Sequence, residues 1–208
     1  MDPGHYADVA VYSFQAVKNM PTADSGMICF KDAEMDAAAR RQSWLGISKD
    51  TYQRTNSGTY SWMYDVDTLG FKYHGNSIMA SIGLVRIKYL NDDNDFRRKV
   101  ASWYDQAFEN ALNVTPIPVA SGCESSRHFY QIRVDTRDSV MAALNDIGVN
   151  PGVHYRDNTL YPMYAYANGS CPNAHQLSEQ IISLPMHLDL NQQDTTMIAD
   201  AVISGVKA

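Results

Sequence analysis

Apolar residues gather in two short runs near the start of the chain, separated by a polar stretch. The runs at 9–14 and 27–30 each have the length of a β-strand, and the first is rich in Val, Tyr and Phe, which favour strands. The stretch between them contains Pro21 and Gly26, residue types that favour a turn. We therefore predict two strands joined by a turn at 21–26, with Lys18 at the end of the first strand-like run.

Helical periodicity follows these two strands. The segment 32–41 is rich in Ala, Glu, Met and Arg behind a capping Asp32. The segment 76–90 has apolar residues at helical spacing, and 92–111 has acidic residues at its start and an apolar stripe along one side. We predict a helix for each. The intervening segment 43–69 is rich in Gly, Ser, Thr and aromatic residues, which indicates a long functional loop with short strands.

The second half of the chain alternates between strand and helix patterns after a break at Pro116 and Pro118. We place a domain boundary between residues 112 and 113. Beyond it we predict strands at 127–134 and 149–155 and helices at 137–147, 171–184 and 194–206. Strands alternating with helices indicate a small α/β domain whose helices pack on one sheet.

Composition narrows the class of protein. A chain of 208 residues with 45% hydrophobic and 19% charged residues can bury a large core. The net charge of -6 argues against a nucleic-acid partner or an anionic membrane, because either favours a basic face. No apolar stretch reaches membrane-span length, the first residues do not resemble a signal peptide, and the three cysteines form no Cys-x-x-Cys pair. We therefore expect a cytoplasmic protein.

The spacing of reactive residues argues against two kinds of site. The six histidines show neither His-x-x-x-His nor His-x-His spacing, so we predict no metal site. No Gly-x-Ser-x-Gly segment is present, which argues against a Ser-His-Asp hydrolase.

Lys18 is the residue whose surroundings most clearly indicate a reactive side chain. A lysine held between two buried strands is costly to keep charged, because desolvation favours the neutral amine. A neutral amine is a nucleophile that can bond to a carbonyl carbon. Ser13 and Asn19 lie near enough in sequence for a hydroxyl and an amide to converge with that amine. The alternative is a surface lysine at the end of a strand.

The segment 13–19 resembles the cofactor-lysine segment of the DegT/DnrJ/EryC1/StrS sugar aminotransferases. In that family Ser-Phe-His-x-x-Lys-Asn precedes a Gly-Gly turn, and here Gln15 replaces the His and Ser25 the first Gly. The segments 69–84, 148–155 and 183–187 resemble three later family motifs and occur in the family's order. Together the four matches extend over essentially the whole chain.

The resemblance implies roles in holding pyridoxal 5'-phosphate (PLP). Lys18 would bond to the PLP aldehyde and Ser13 would contact its phosphate. Asn19 would lie beside them, and the alternative is that it only shapes the turn. His74 and Asn76 would reach the PLP phosphate of a partner protomer across the interface of a homodimer. Read without the family, Asn76 is a helix cap.

A second pair of residues is implied to bind the substrate. The resemblance places His154 and Tyr155 at the substrate mouth, where two rigid rings with polar tips could hold a sugar or a pyrophosphate. Taken singly, either residue is better explained by a structural role.

The resemblance also implies a fold and an activity. The fold class expected is α/β, the C-terminal portion of a fold-type I PLP-dependent aminotransferase. Residues 1–112 would form the end of the large PLP domain and 113–208 the small C-terminal α/β domain. The activity is transfer of an amino group, from an amino-acid donor expected to be glutamate, to a keto nucleotide-sugar. Lys rather than His at position 18 favours this reaction over that of related sugar dehydratases.

The matching motifs belong only to the C-terminal half of a family member. The family's phosphate cradle, its ring-stacking aromatic and its acidic partner of the pyridinium nitrogen have no counterpart here. We consider a truncated reading frame, a partner of a separately encoded N-terminal half, and a remnant that folds by dimerisation, and we favour the first two. The alternative function is a non-catalytic interaction module.

Overall fold

The computed structural model describes residues 6–48 and 62–207, which belong to two units, Met1–Leu90 and Asn91–Ala208. Part of the predicted loop at 43–69 therefore lies outside the described residues. Within the first unit, β1 (Val9–Ser13) and β2 (Gly26–Phe30) pair antiparallel, as the two apolar runs predict.

The two strands are more exposed than predicted. No residue of β1 or β2 is buried, and Val11 and Ile28 are 75% and 48% exposed. The prediction that Lys18 is held between buried strands is therefore wrong for the described residues. The apolar runs do pair with each other, but a two-stranded ribbon covers neither of its own faces.

Two capped helices follow in the first unit. Helix α1 (Ala33–Ser43) begins after Asp32, whose carboxylate accepts a hydrogen bond from the Met35 N–H at 2.8 Å. Helix α2 (Ser77–Arg86) is shorter than predicted, because residues 87–89 form a turn before the next helix. Local capping signals thus fix where both helices begin.

The second unit is built around helix α3 (Leu90–Phe108) and a three-stranded antiparallel sheet. Its strands lie in the order β3 (Thr115–Pro116), β4 (Tyr130–Arg133) and β5 (Ile181–Leu184). The stripe predicted on α3 packs in the core, although Trp103 and Ala107 are only partly buried. The Tyr104 ring stacks on the Tyr130 ring at 4.7 Å.

The second unit also contains three further α-helices, α4 (Arg137–Asp146), α5 (Pro172–Gln180) and α6 (Gln192–Lys207). Two short 3-10 helices, Asn158–Leu160 and Pro162–Ala167, lie between α4 and α5. Helices α4 and α6 approach closely, since a Cβ at Gly205 would lie 2.7 Å from the Cα of Val140. None of the described helices is long and apolar enough to cross a membrane.

Two predictions in this half need correction. The helix expected at 171–184 ends at Gln180, and Ile181–Leu184 is strand β5, with all four residues buried. The strand expected at 149–155 is reduced to a single bridge between Gly152 and Ser183. A short apolar run fits a buried strand as well as a helix end, and pairing with β4 decides between them.

The sequence places the domain boundary after residue 112, whereas the units divide at Leu90. The difference is helix α3, whose buried residues belong to the same core cluster as β4 and α6. The functional division into 1–112 and 113–208 stays a prediction.

Candidate functional site

Backbone hydrogen bonds close the turn that carries Lys18. The Phe14 N–H donates to the Ser25 carbonyl at 2.8 Å, and the Thr22 N–H donates to the Phe14 carbonyl at 2.8 Å. The Thr22 side chain, only 2% exposed, also hydrogen-bonds to the Ser25 hydroxyl. The segment between Phe14 and Ser25 is therefore fixed at its base, and Lys18 lies within it.

Ser25 and Gly26 end this turn, and each residue type is favoured at its position for a different structural reason. Gly26 pairs with Ser13 across the ribbon, and a Cβ there would lie 2.9 Å from the Tyr12 carbonyl oxygen. Any larger residue would push the strands apart. Ser25 occupies the position of the first Gly in the family turn, and its hydroxyl is used in the bond to Thr22.

Successive local hydrogen bonds shape the segment from Ser13 to Lys18. The Ser13 Oγ accepts from the Gln15 N–H at 3.4 Å, and the Gln15 Oε1 accepts from the Val17 N–H at 3.0 Å. The Lys18 N–H donates to the Gln15 carbonyl at 2.9 Å. Gln15, at the position of the family's His, therefore stabilises the turn. Ser13 is exposed, whereas Lys18 and Asn19 are half-buried.

A cavity of about 620 Å³ lies within the first unit, between the lysine turn and helix α2. The two sides approach closely, since a Cβ at Gly83 would lie 3.3 Å from the Thr22 Cγ2. Among the predicted site residues, Asn76 lines the cavity, together with Phe14, Met20, Thr22 and Ser25. The fold thus brings the 69–84 motif to the back of the lysine turn within one chain.

His74 and Asn76 are held in different ways. The exposed His74 ring packs edge-on against the Trp44 ring at 4.1 Å, and the His74 backbone N–H donates to the Ser43 carbonyl at 3.1 Å. Asn76 caps helix α2 through its Oδ1, which accepts from the Met79 N–H at 3.0 Å. The cap leaves the Asn76 side-chain nitrogen as a hydrogen-bond donor. Contact with a partner protomer stays a prediction.

The predicted substrate pair lies in the second unit. The His154 Nδ1 is 2.9 Å from the Ser183 Oγ, and the imidazole stacks on the Phe129 ring at 4.2 Å. Tyr155 is 68% exposed and meets the His154 ring edge-on at 4.9 Å. His154 is therefore fixed, and Tyr155 is open to solvent.

Ser183 and Gln131 were not among the residues singled out from the sequence. The Gln131 Nε2 donates to the His154 carbonyl at 2.9 Å and to the Ser183 Oγ at 3.3 Å. The signal that could have found them is strand register, because they face each other across β4 and β5. That register required β5 to be recognised as a strand.

A buried carboxylate elsewhere in the second unit was also missed. Asp157 is 7% exposed, and its carboxylate accepts from the Thr159 N–H at 2.8 Å and lies 3.1 Å from the His175 Nδ1. The hydrogen bond from Thr159 is the main reason that the pKa of Asp157 lies below its ordinary value. No group of three or more metal-binding side chains occurs among residues 6–48 and 62–207.

Comparison with known proteins gives consistent relationships along the chain. The family model described as "DegT/DnrJ/EryC1/StrS aminotransferase family" matches residues 2–203. The spore coat polysaccharide biosynthesis protein SpsC of Bacillus subtilis is 30% identical over 98% of this chain and 55% of its own length. The chain spans about half the length of the curated relatives it matches.

Solved structures agree with this relationship. The aminotransferase TlmJ from Streptoalloteichus hindustanus is 32% identical, with a TM-score of 0.85 over 96% of this chain and 52% of that chain. The PLP form of the sugar aminotransferase Spr1654 from Streptococcus pneumoniae, itself described as putative, is 27% identical, with a TM-score of 0.88 over 100% of this chain and 54% of that chain. These likenesses confirm the predicted fold class.

Proposed function

The chain belongs to the DegT/DnrJ/EryC1/StrS aminotransferase family, and from this premise we propose that it supplies the cofactor lysine of a PLP-dependent sugar aminotransferase. The observation that carries the proposal is the closed turn at Lys18, in which local hydrogen bonds hold Ser13 and the backbone of Lys18 in one segment, with Asn19 next to the lysine. The intact enzyme would move an amino group from glutamate to a keto group of a nucleotide-linked sugar.

The residues of the turn fit PLP in their chemistry. PLP carries a phosphate, an aldehyde that bonds to an amine, and a ring that withdraws electrons from the substrate carbon. The Lys18 amine suits the aldehyde. The Ser13 Oγ accepts a hydrogen bond from Gln15, so its own proton can be donated to a phosphate oxygen. The Asn19 amide adds a further polar group.

Lys18 would have two duties. Its Nζ would hold the cofactor, and its amine, when free, would move a proton. It would take the proton from the α-carbon of the amino donor and return it on the cofactor side. The backbone of Lys18 is fixed by the turn, while its flexible four-carbon stem lets the Nζ move.

The remaining site residues supply donors at two places. In a homodimer, His74 and the side-chain nitrogen of Asn76 would contact the phosphate of the partner protomer's PLP. His154 and Tyr155 would contact the nucleotide-sugar.

Residues 1–112 would act as the end of the large PLP domain and 113–208 as the small domain. The cysteines, which are free and exposed, support a cytoplasmic location.

The exposed strands bear on how the site is completed. Both faces of the β1–β2 ribbon present apolar side chains to solvent: the paired Val11 and Ile28 on one face, and the paired Tyr12 and Met27 on the other. We propose that the half absent from this chain packs there, either as part of the same polypeptide or as a separate one, and that it supplies the acid that pairs with the ring nitrogen. The same faces favour the second candidate function, a non-catalytic module that binds a partner chain.

Absorbance spectroscopy with added PLP tests the cofactor role of Lys18. The chain is mixed with PLP, alone and with a candidate N-terminal half, and we expect a visible absorption band from the lysine-bound cofactor. Borohydride reduction should remove the band and leave a stable adduct, which peptide mass spectrometry should locate on Lys18. Lys18→Ala should abolish band and adduct. Lys88→Ala, an exposed lysine of the same unit, should retain both.

The two functions predict different outcomes. No band in either mixture, or an adduct unaffected by Lys18→Ala, overturns the enzyme proposal. Complex formation with the N-terminal half but no band would favour the interaction module.

A further inference from the structure

Three polar side chains meet on one face of the sheet in the second unit. Gln131 and Ser183 face each other in the register of β4 and β5. On the other side of β5, Gly152 and Ser183 exchange two backbone hydrogen bonds of 2.9 and 2.7 Å. Directly paired residues present their side chains to the same face, and His154 lies two residues after Gly152. The register therefore brings Gln131, Ser183 and His154 together.

Gln131 is the donor in two of the hydrogen bonds within this cluster. The His154 carbonyl can only accept, so the Gln131 group 2.9 Å away must be its NH₂. The second proton of that NH₂ points to the Ser183 Oγ at 3.3 Å. With its oxygen accepting from Gln131, the Ser183 hydroxyl has its own proton available for the His154 Nδ1 at 2.9 Å. Among the described residues, the Nδ1 is the one acceptor placed by geometry for that hydroxyl proton, and a neutral imidazole whose Nδ1 accepts carries its single proton on Nε2.

Packing holds the ring in the same orientation. The ring of Phe129, the residue just before strand β4, stacks on the imidazole with an interplanar angle of 21°. Gly152 leaves the space that the ring needs, since a Cβ there would lie 2.7 Å from the His154 Cε1. Ser183 is buried, whereas His154 is half-buried.

We propose that Ser183 and Gln131 are positioning residues that keep His154 in the Nε2–H form, so that it donates a hydrogen bond to an oxygen of the substrate. The inference rests on the proposed function, in which His154 contacts the nucleotide-sugar. A phosphate, hydroxyl or keto oxygen can accept from Nε2–H. A substrate group that can only donate finds no acceptor on the imidazole.

Nitrogen NMR measures the proton position directly. The chain labelled with ¹⁵N-histidine is studied at about pH 8, where neutral histidine predominates, and the His154 signals are assigned by their loss in His154→Asn. We expect Nε2 to carry the proton and Nδ1 to be unprotonated. A proton on Nδ1 in the unmodified chain overturns the proposal.

The variant Gln131→Glu reverses the direction of the chain of bonds. A carboxylate only accepts, so the Ser183 hydroxyl should donate to it and leave its oxygen to accept from the His154 Nδ1. We expect Nδ1 to become protonated in Gln131→Glu and to lose that proton again when Ser183→Ala is added. An unprotonated Nδ1 in Gln131→Glu contradicts the proposed hydrogen-bond relay, which runs from Gln131 through Ser183 to His154.

The matched control is Ser178→Ala. Ser178 is a buried serine of the same unit that donates to the His175 carbonyl, so its loss should leave the His154 signals unchanged. A change there as large as in Gln131→Glu would overturn the specific relay. The NMR result does not depend on PLP: a wrong proton position with an intact PLP band refutes only this inference, and a missing band refutes only the proposed function.

Discussion

Gly152→Ala perturbs the candidate substrate site by a single methyl group. The new Cβ would lie 2.7 Å from the His154 Cε1 and 3.2 Å from its Nδ1, whereas ordinary contacts begin near 3.4 Å. The ring must therefore retreat by about 0.7 Å, the difference between the two Cε1 values. A retreat of that size away from the sheet stretches the 2.9 Å bond to Ser183 beyond roughly 3.5 Å, where a hydrogen bond is lost.

The expected change in the free energy of unfolding is small because two terms oppose each other. Losing the hydrogen bond costs about 0.5–1.5 kcal/mol, and weaker stacking on Phe129 adds to that loss. Replacing Gly by Ala at a compatible backbone position gains about 0.4–1 kcal/mol through the unfolded chain. We expect a net loss of about 1 kcal/mol or less, so stability alone does not test the contact.

Histidine NMR is the decisive assay for Gly152→Ala. We expect the His154 Nδ1 signal to leave its hydrogen-bonded position while the other histidines keep theirs. Gly75→Ala is the control for the unfolded-chain term, because no atom lies within 4 Å of a Cβ at Gly75. His154 signals in Gly152→Ala that coincide with those of the unmodified chain would refute the geometry on which the relay depends.

Two further predictions concern the second unit. Gly205→Ala should lower the free energy of unfolding in urea by about 1–2 kcal/mol, because the clash with Val140 outweighs the gain in helix propensity. The control Ser204→Ala, at an exposed neighbouring position, should be near neutral. Equal stabilities of the two variants would contradict the close approach of the helices. Asp157→Asn should lower the thermal midpoint at neutral pH. Because the pKa of Asp157 is depressed in the folded state, its contribution is present above the unfolded value of about 3.9 and is lost as the pH falls through the folded pKa. The difference from the unmodified chain should therefore disappear in acid, and a constant difference across the pH range would be inconsistent with this origin.

The features that the sequence predicts well are those set by neighbouring residues. The caps of α1 and α2 depend on Asp32 and Asn76, each bonded to the N–H three residues ahead. The turn around Lys18 depends on contacts between Phe14 and Ser25. Such interactions are available to any chain with these residues in this order, so local pattern is sufficient to find them.

The features that the sequence does not predict depend on distant residues. Ile181–Leu184 continues from helix α5 without a break and is buried on both faces, so it shows no alternation that distinguishes a strand from a helix end. Its identity comes from pairing with β4, 52 residues away for Gln131 and Ser183. The exposure of β1 and β2 likewise depends on whether other elements pack on the sheet, and the residues within the strands do not determine that.

The contrast between local and long-range interactions also distinguishes the two candidate sites, at Lys18 and at His154. Lys18 is placed by bonds inside its own turn, so a short motif is enough to identify it and to propose its chemistry. His154 also lies in a recognisable motif, but whether it donates or accepts depends on Gln131 and Ser183 through the pairing of separate strands. A relative that keeps the His-Tyr pair but has an acceptor-only residue opposite the serine should present the other ring tautomer. Motif identity therefore predicts the position of this histidine, and strand register predicts what it can bind.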